Sequence, residues 1–146
     1  MTLLEVDHLK VHFPVKRGLF SRVEGWIKAV DDVNLKLSPG ETLGLVGESG
    51  CGKTTLGRAV IRLVEPTAGS IRFEGADITR MRGAELRARR RQFQMIFQDP
   101  YGSLNPRLTI EEIIGEAIDI HRLAATAQAR RERIYELLEA VGLNTA

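Results

Sequence analysis

Gly47-Glu48-Ser49-Gly50-Cys51-Gly52-Lys53-Thr54 sets glycines, a lysine and a hydroxyl in the spacing G-x-x-x-x-G-K-[ST]. These residue types at this spacing suit the capture of a triphosphate. Its oxygens carry several negative charges, which backbone N–H groups meet only in a concavity that side chains do not fill, and Gly47, Gly50 and Gly52 leave it open. Lys53 adds a mobile full charge able to reach β- and γ-phosphates, Thr54 offers Mg²⁺ a hard oxygen, and Thr55 is placed to donate to an α-phosphate. Glu48, Ser49 and Cys51 occupy the variable positions, where Cys51 reads as a small filler.

Such a loop needs a strand before it and a helix after it. Residues 42–46 (TLGLV) are apolar without alternation, the pattern of a short strand covered on both faces in a parallel sheet. From Lys53 onward, Leu56, Ala59, Val60, Leu63 and Val64 recur at helical spacing up to Pro66. The helix dipole and its unpaired first-turn N–H groups then point at the bound phosphate. The expected class is therefore α/β.

Elsewhere, Leu9, Val11 and Phe13 alternate with polar residues as a first strand, and residues 14–25 (PVKRGLFSRVEG) read as an inserted surface loop that returns to strand at Trp26. Val33, Leu35 and Leu37 form another alternating run, and Ser38-Pro39-Gly40 supplies a tight turn, together read as a hairpin leading into 42–46. A strand over 70–74, a basic helix over about 83–91 and an apolar strand over 93–97 precede the loop QDPYGSLNPR. Thr109 with Glu112 makes a capping box opening a helix lined by Ile110, Ile113, Ile114, Ala117 and Ile118. A last helix carries Ile134, Leu137, Leu138 and Val141, with Gly142 as its stop.

Composition narrows the setting. Lys and Arg number 21 against 19 Asp and Glu, a net +2 that names no polyanionic partner. The one cysteine excludes an internal disulfide and fits a reducing compartment. The first residues, MTLLEVDHLKVHF, lack the basic start and apolar stretch of an export signal, and no apolar run approaches the ~18 residues of a membrane span. The arginines at 80, 82, 87, 89, 90 and 91 read as a solvated face, since no interleaved aromatics suggest nucleic acid. His8 and His12 have no third ligand nearby for a metal.

The phosphate loop by itself does not choose among kinases, GTPases, helicases and transporter ATPases. The segments VDDVNLKLSPGETLGLVGESGCGKTT, EPTAGSIRFEGADIT and IFQDPYGSLNPRLTI resemble the ABC ATPase family over nearly the whole chain. The 14–25 insertion and QDPYGSLNPR resemble its oligopeptide and dipeptide importers. This resemblance implies an ABC-type nucleotide-binding domain. Residues 1–100 would hold the N-terminal part of the core, with the Walker A segment at 47–54 and the Q-loop from Gln98; residues 101–146 would begin a helical subdomain. It implies that Gln98 contacts Mg²⁺ or the attacking water, that Lys53 and Gln98 serve catalysis, and that Phe13, or alternatively Trp26, stacks on the adenine of ATP. The partners implied are transmembrane permease subunits, a second identical or different ATPase subunit and, indirectly, an external solute-binding protein, with no nucleic acid. The place implied is the cytoplasmic face of the inner membrane.

The family also carries a signature segment resembling LSGGQ, an acidic second strand with a catalytic glutamate, and a switch histidine, and none occurs through Ala146. The expectation is a nucleotide-binding fragment with little turnover, ending inside the helical subdomain and exposing a sheet edge and apolar surface. The alternatives are a non-hydrolysing nucleotide-binding module and an ABC-type ATPase of DNA repair.

Overall fold

The computed structural model describes residues 2–18, 21–99, 102 and 104–143. The chain divides into two compact units, Met1–Met95 and Ile96–Ala146. In the first, β1 (Leu4–Arg17) and β2 (Arg22–Leu37) form a long hairpin, α1 spans Lys53–Val60, β3 and β4 (Ala68–Phe73 and Ala76–Asp77) follow, and α2 spans Gly83–Arg89. The sheet order is β2-β1-β3-β4, and every pairing is antiparallel.

That sheet corrects three expectations. Residues 14–25 are no surface loop; their described part continues both strands, with Val15 opposite Gly25 and Arg17 opposite Arg22, while Leu19 and Phe20 lie outside the described residues. Pro14 is tolerated because β1 loses β3 after Lys10 and is there an edge strand, where a residue without an N–H does little harm. Residues 42–46 form no strand, and Val46 is 91% exposed. Residues 93–97 likewise lack strand structure, with Ile96 92% exposed. A buried strand must satisfy its backbone groups across a ladder, and no described segment supplies these two runs with one. The turn before 42–46 does form, through the Glu41 N–H donating to the Ser38 carbonyl at 3.2 Å, but it opens no hairpin.

Val6, Leu9, Val11, Val30, Ile71, Phe73 and Ile78 make the core, and α1 adds Leu56 and Ala59. A break in the β1–β2 register sits where His8 and Asp32 both adopt left-handed backbone. Their side chains meet at 2.8 Å, and the Asn34 side-chain Oδ1 accepts from the His8 N–H at 2.8 Å. His12 pairs instead with Asp31, and among the described residues no three potential ligands gather around a metal. The Asp32 hydrogen bond, then its charge, raises the pKa of His8 above the ordinary 6.5. The pair's contribution is therefore complete below pH 6.5 and is lost as pH rises through the higher folded-state value. An NMR titration of His8 should show a midpoint above 6.5 that falls back in Asp32→Asn; an unmoved midpoint would contradict the pairing.

Helix α1 stops at Val60, short of the expected stop at Pro66. Arg62 takes a left-handed conformation (φ 59°), and Arg62 and Leu63 N–H groups donate back to the carbonyls of Ala59 and Arg58. This closes the helix in the manner usually left to glycine. The buried guanidinium of Arg62 donates to the carbonyls of Ile78 and Met81 at 3.1 and 3.4 Å, which holds the backbone there.

In the second unit α3 (Ile110–Ile120) packs on α4 (Ala127–Ala140), with Ile118 and Ile134 buried. The capping box forms as read: Thr109 Oγ1 accepts from the Glu112 N–H at 3.2 Å, and Glu112 accepts from the Thr109 N–H at 2.7 Å. Gly142 (φ 77°) ends α4, with Leu143 N–H donating to Leu138 and Gly142 N–H to Glu139. The apolar stripe of α3 is narrower than expected, because Ile110 and Ala117 are exposed. Thr109→Ala should cost ~1 kcal/mol in urea unfolding of this unit. The Thr109 backbone and hydroxyl hydrogen bonds lower the Glu112 pKa below 4.5, so the part of the loss that comes from the hydroxyl's bond to the carboxylate should be present above pH 4.5 and disappear as acid protonates Glu112, while the part from Thr109 Oγ1 accepting the Glu112 N–H persists. A loss independent of pH would contradict the reciprocal cap.

Candidate functional site

The phosphate loop lies between β2 and α1 of the first unit, and the packing of Gly52 on β2 sets its place. Gly52 is the N-cap of α1 with φ 93°, and a Cβ there would come within 2.1 Å of the Ala29 carbonyl oxygen. Only glycine meets both demands, left-handed backbone and contact with a neighbouring strand. Gly50 is left-handed too (φ 83°), but a Cβ on it would meet open space. The Leu56 N–H donates to the Gly52 carbonyl at 2.8 Å and starts the helix, so the N–H groups of Lys53, Thr54 and Thr55 fall in the first turn, beyond reach of any intrahelical carbonyl.

Lys53 folds back over the loop. Its ammonium donates to the carbonyls of Gly47 and Glu48 at 2.7 and 2.6 Å and to Cys51 Sγ at 3.4 Å. A full positive charge thus stands beside the positive end of α1, an arrangement made for a polyanion. Glu48, Ser49, Cys51 and Thr54 are exposed and Thr55 is half-buried, so both hydroxyls sit at the rim of the loop. Cys51, expected as a small filler, accepts one of the lysine's donors at its sulfur.

The loop opens into a cavity of about 390 Å³ whose lining includes Lys28, Ala29, Asp31, Cys51, Gly52 and Lys53. Lys28 and Asp31 were not legible as site residues, since they stand on β2 more than twenty residues before Lys53 and match no motif. Phe13 and Trp26 are both partly exposed. Phe13 opposes Ile27 and Trp26 opposes Pro14, so the two aromatics point to opposite faces of the hairpin, and neither lines this cavity. Gln98 is exposed and belongs to the second unit; within the stretch after it, residues 100, 101 and 103 lie outside the described residues. The arginines of residues 80–91 are exposed apart from the half-buried Arg89; Arg82 pairs with Glu65, Arg89 donates to Gln92 and Arg90 donates to the Arg62 carbonyl.

The chain matches the ABC transporter family over residues 30–146. It belongs to the ABC transporter family. The loop and α1 both lie within the matched span. The chain is 53% identical over 143 residues to the Oligopeptide transport ATP-binding protein OppF of Bacillus subtilis, covering 97% of itself and 45% of that relative. It is 48% identical over 141 residues to the Glutathione import ATP-binding protein GsiA of Pectobacterium atrosepticum, covering 97% of itself and 22% of that protein. Among solved structures it resembles the ATP-binding cassette MJ0796, in a dimeric post-hydrolysis state bound to ADP and Pi, with a TM-score of 0.73 and 26% identity over 97% of this chain and 58% of that one. The chain therefore spans about half or less of the relatives it matches, a partial ABC domain of mixed α/β structure. Its described sheet is antiparallel, where residues 42–46 had suggested a parallel one.

Proposed function

We propose that the full-length protein is the ATP-binding subunit of an importer and couples ATP hydrolysis to uptake of oligopeptides or a related small solute. One observation carries this reading: Gly52, locked against the Ala29 carbonyl, sets the first turn of α1 and the Lys53 ammonium around one polyanion cradle. The relatives named for oligopeptide and glutathione transport support the solute class.

In this proposal the N–H groups of residues 47–55 and Lys53 bind the phosphates, and Phe13 or Trp26 stacks on adenine. The hydroxyl of Thr54 is an exposed hard donor that suits Mg²⁺. When bound, Mg²⁺ supplies charge neutralisation at the β- and γ-phosphates. The catalytic glutamate, signature segment and switch histidine are assigned to sequence beyond these 146 residues, in keeping with relatives more than twice as long. The dimeric cassette supports a second ATPase subunit as partner, and the transport names of the relatives support membrane permease subunits and, through them, an external solute-binding protein, which would hold this subunit at the cytoplasmic face of the membrane. No described helix is long and apolar enough to cross a bilayer.

The test is uptake of labelled oligopeptides and of glutathione by cells with and without the gene. Loss of energy-dependent oligopeptide uptake is expected; unchanged uptake of both solutes would overturn the importer reading.

A further inference from the structure

The geometry points to Lys28 as a second nucleotide-binding cation, donating to a phosphate of the nucleotide held by the Lys53 loop and positioned by Asp31 and His12. The inference rests on the nucleotide reading of that loop and adds a residue that the loop pattern does not contain.

Lys28 and Lys53 line the same cavity, with Ala29 and Gly52 between them. The β1–β2 register shifts between the Val11–Val30 and His12–Lys28 pairs, which leaves Ala29 as the extra residue of a bulge. The carbonyl of that bulged residue is the one that meets Gly52, so the same irregularity seats the phosphate loop and brings Lys28 to its side.

A free lysine on a strand would sweep a wide volume, but this one is held. Its ammonium donates to Asp31 Oδ2 at 3.1 Å, and Asp31 Oδ1 lies 3.0 Å from His12 Nε2, the His12 of the residue pair directly across the hairpin from Lys28. One donor is used on Asp31, which leaves two N–H groups for a ligand, and the side chain is 62% exposed. Asp31 balances the lysine's charge, so Lys28 serves chiefly as a directed donor, with Asp31 and His12 as positioning residues. An anion already drawn to Lys53 and the first turn of α1 is what such a donor can reach within the cavity.

The experiment measures ATP affinity of the full-length protein at low and high salt for the parent, Lys28→Gln, Lys28→Arg, Lys16→Gln and Lys53→Ala. Lys28→Gln should weaken binding about tenfold, the scale of one charge-assisted hydrogen bond, with a shallower salt dependence. Lys28→Arg should stay within about threefold of the parent, because it keeps the charge and the donors. Lys16, near the tip of the hairpin, is the control for general charge, and its variant should bind as the parent does. If Lys28→Gln binds as the parent does while Lys53→Ala does not, the role of Lys28 is overturned and the loop reading stands. An equal loss in Lys16→Gln would also overturn it, as a general charge effect. If Lys53→Ala binds normally, the nucleotide reading itself fails and this inference falls with it.

Discussion

Lys53→Ala should lower the affinity of the full-length protein for Mg·ATP by about 100-fold or more. The ammonium sits over the loop within 2.7 Å of the Gly47 and Glu48 carbonyls, so its charge is already gathered where phosphate oxygens would lie. Exchanging such carbonyl contacts for charge-assisted hydrogen bonds to phosphate is worth about 1.5–3 kcal/mol each, and two of them correspond to roughly two to four decades of affinity. Alanine also releases the loop carbonyls, so the cradle loses its staple together with its charge. Arginine should rescue poorly, because a planar fork does not occupy the volume of a compact ammonium. Equilibrium titration with a fluorescent ATP analogue measures the effect; affinity within threefold of the parent would show that the loop does not hold the nucleotide.

Gly52→Ala should be the most damaging glycine substitution in the loop, for a reason independent of charge. The new Cβ would lie 2.1 Å from the Ala29 carbonyl oxygen, well inside van der Waals contact, and the backbone at φ 93° is itself unfavourable for alanine. Neither atom is the end of a flexible side chain, so relief requires α1 to move off β2, which disturbs the burial of Leu56 and Ala59. A loss of ~2–4 kcal/mol in urea unfolding is expected, with ATP binding lost in parallel. Gly50→Ala is the comparison. Its Cβ meets nothing within 4 Å, so only the left-handed backbone is penalised, at about 1 kcal/mol. Equal losses in the two variants would show that the Ala29 contact does not seat the loop.

Features encoded by local rules were legible from residue order. The glycine-and-lysine spacing of the loop, the start of α1 at Lys53, the short basic helix, the Thr109–Glu112 capping box and the glycine stop at Gly142 all depend on groups within a few residues of one another. Side-chain caps and backbone φ preferences act over one helical turn, so a reader of the sequence sees both partners at once.

Tertiary structure decided the rest. Leu43, Leu45 and Val46 are as apolar as a buried strand, yet a strand exists only where another segment pairs with it, and here they stay exposed. The proline and glycines of residues 14–25 suggest a loop, but the pairing of Val15 with Gly25 and Arg17 with Arg22 keeps that segment in the hairpin. Pro66 marks a helix end in sequence, but later than α1 stops; the carbonyls of Ile78 and Met81 hold Arg62 at the actual end, from 16 and 19 residues away. The same holds at the site. The sequence by itself determined the glycine-and-lysine pattern of Gly47–Thr54, because each member of that motif lies within one loop and one turn. Only the folded hairpin set Lys28, Asp31 and His12 beside it, because a bulge in a strand pairing is a property of two strands and is written in neither alone.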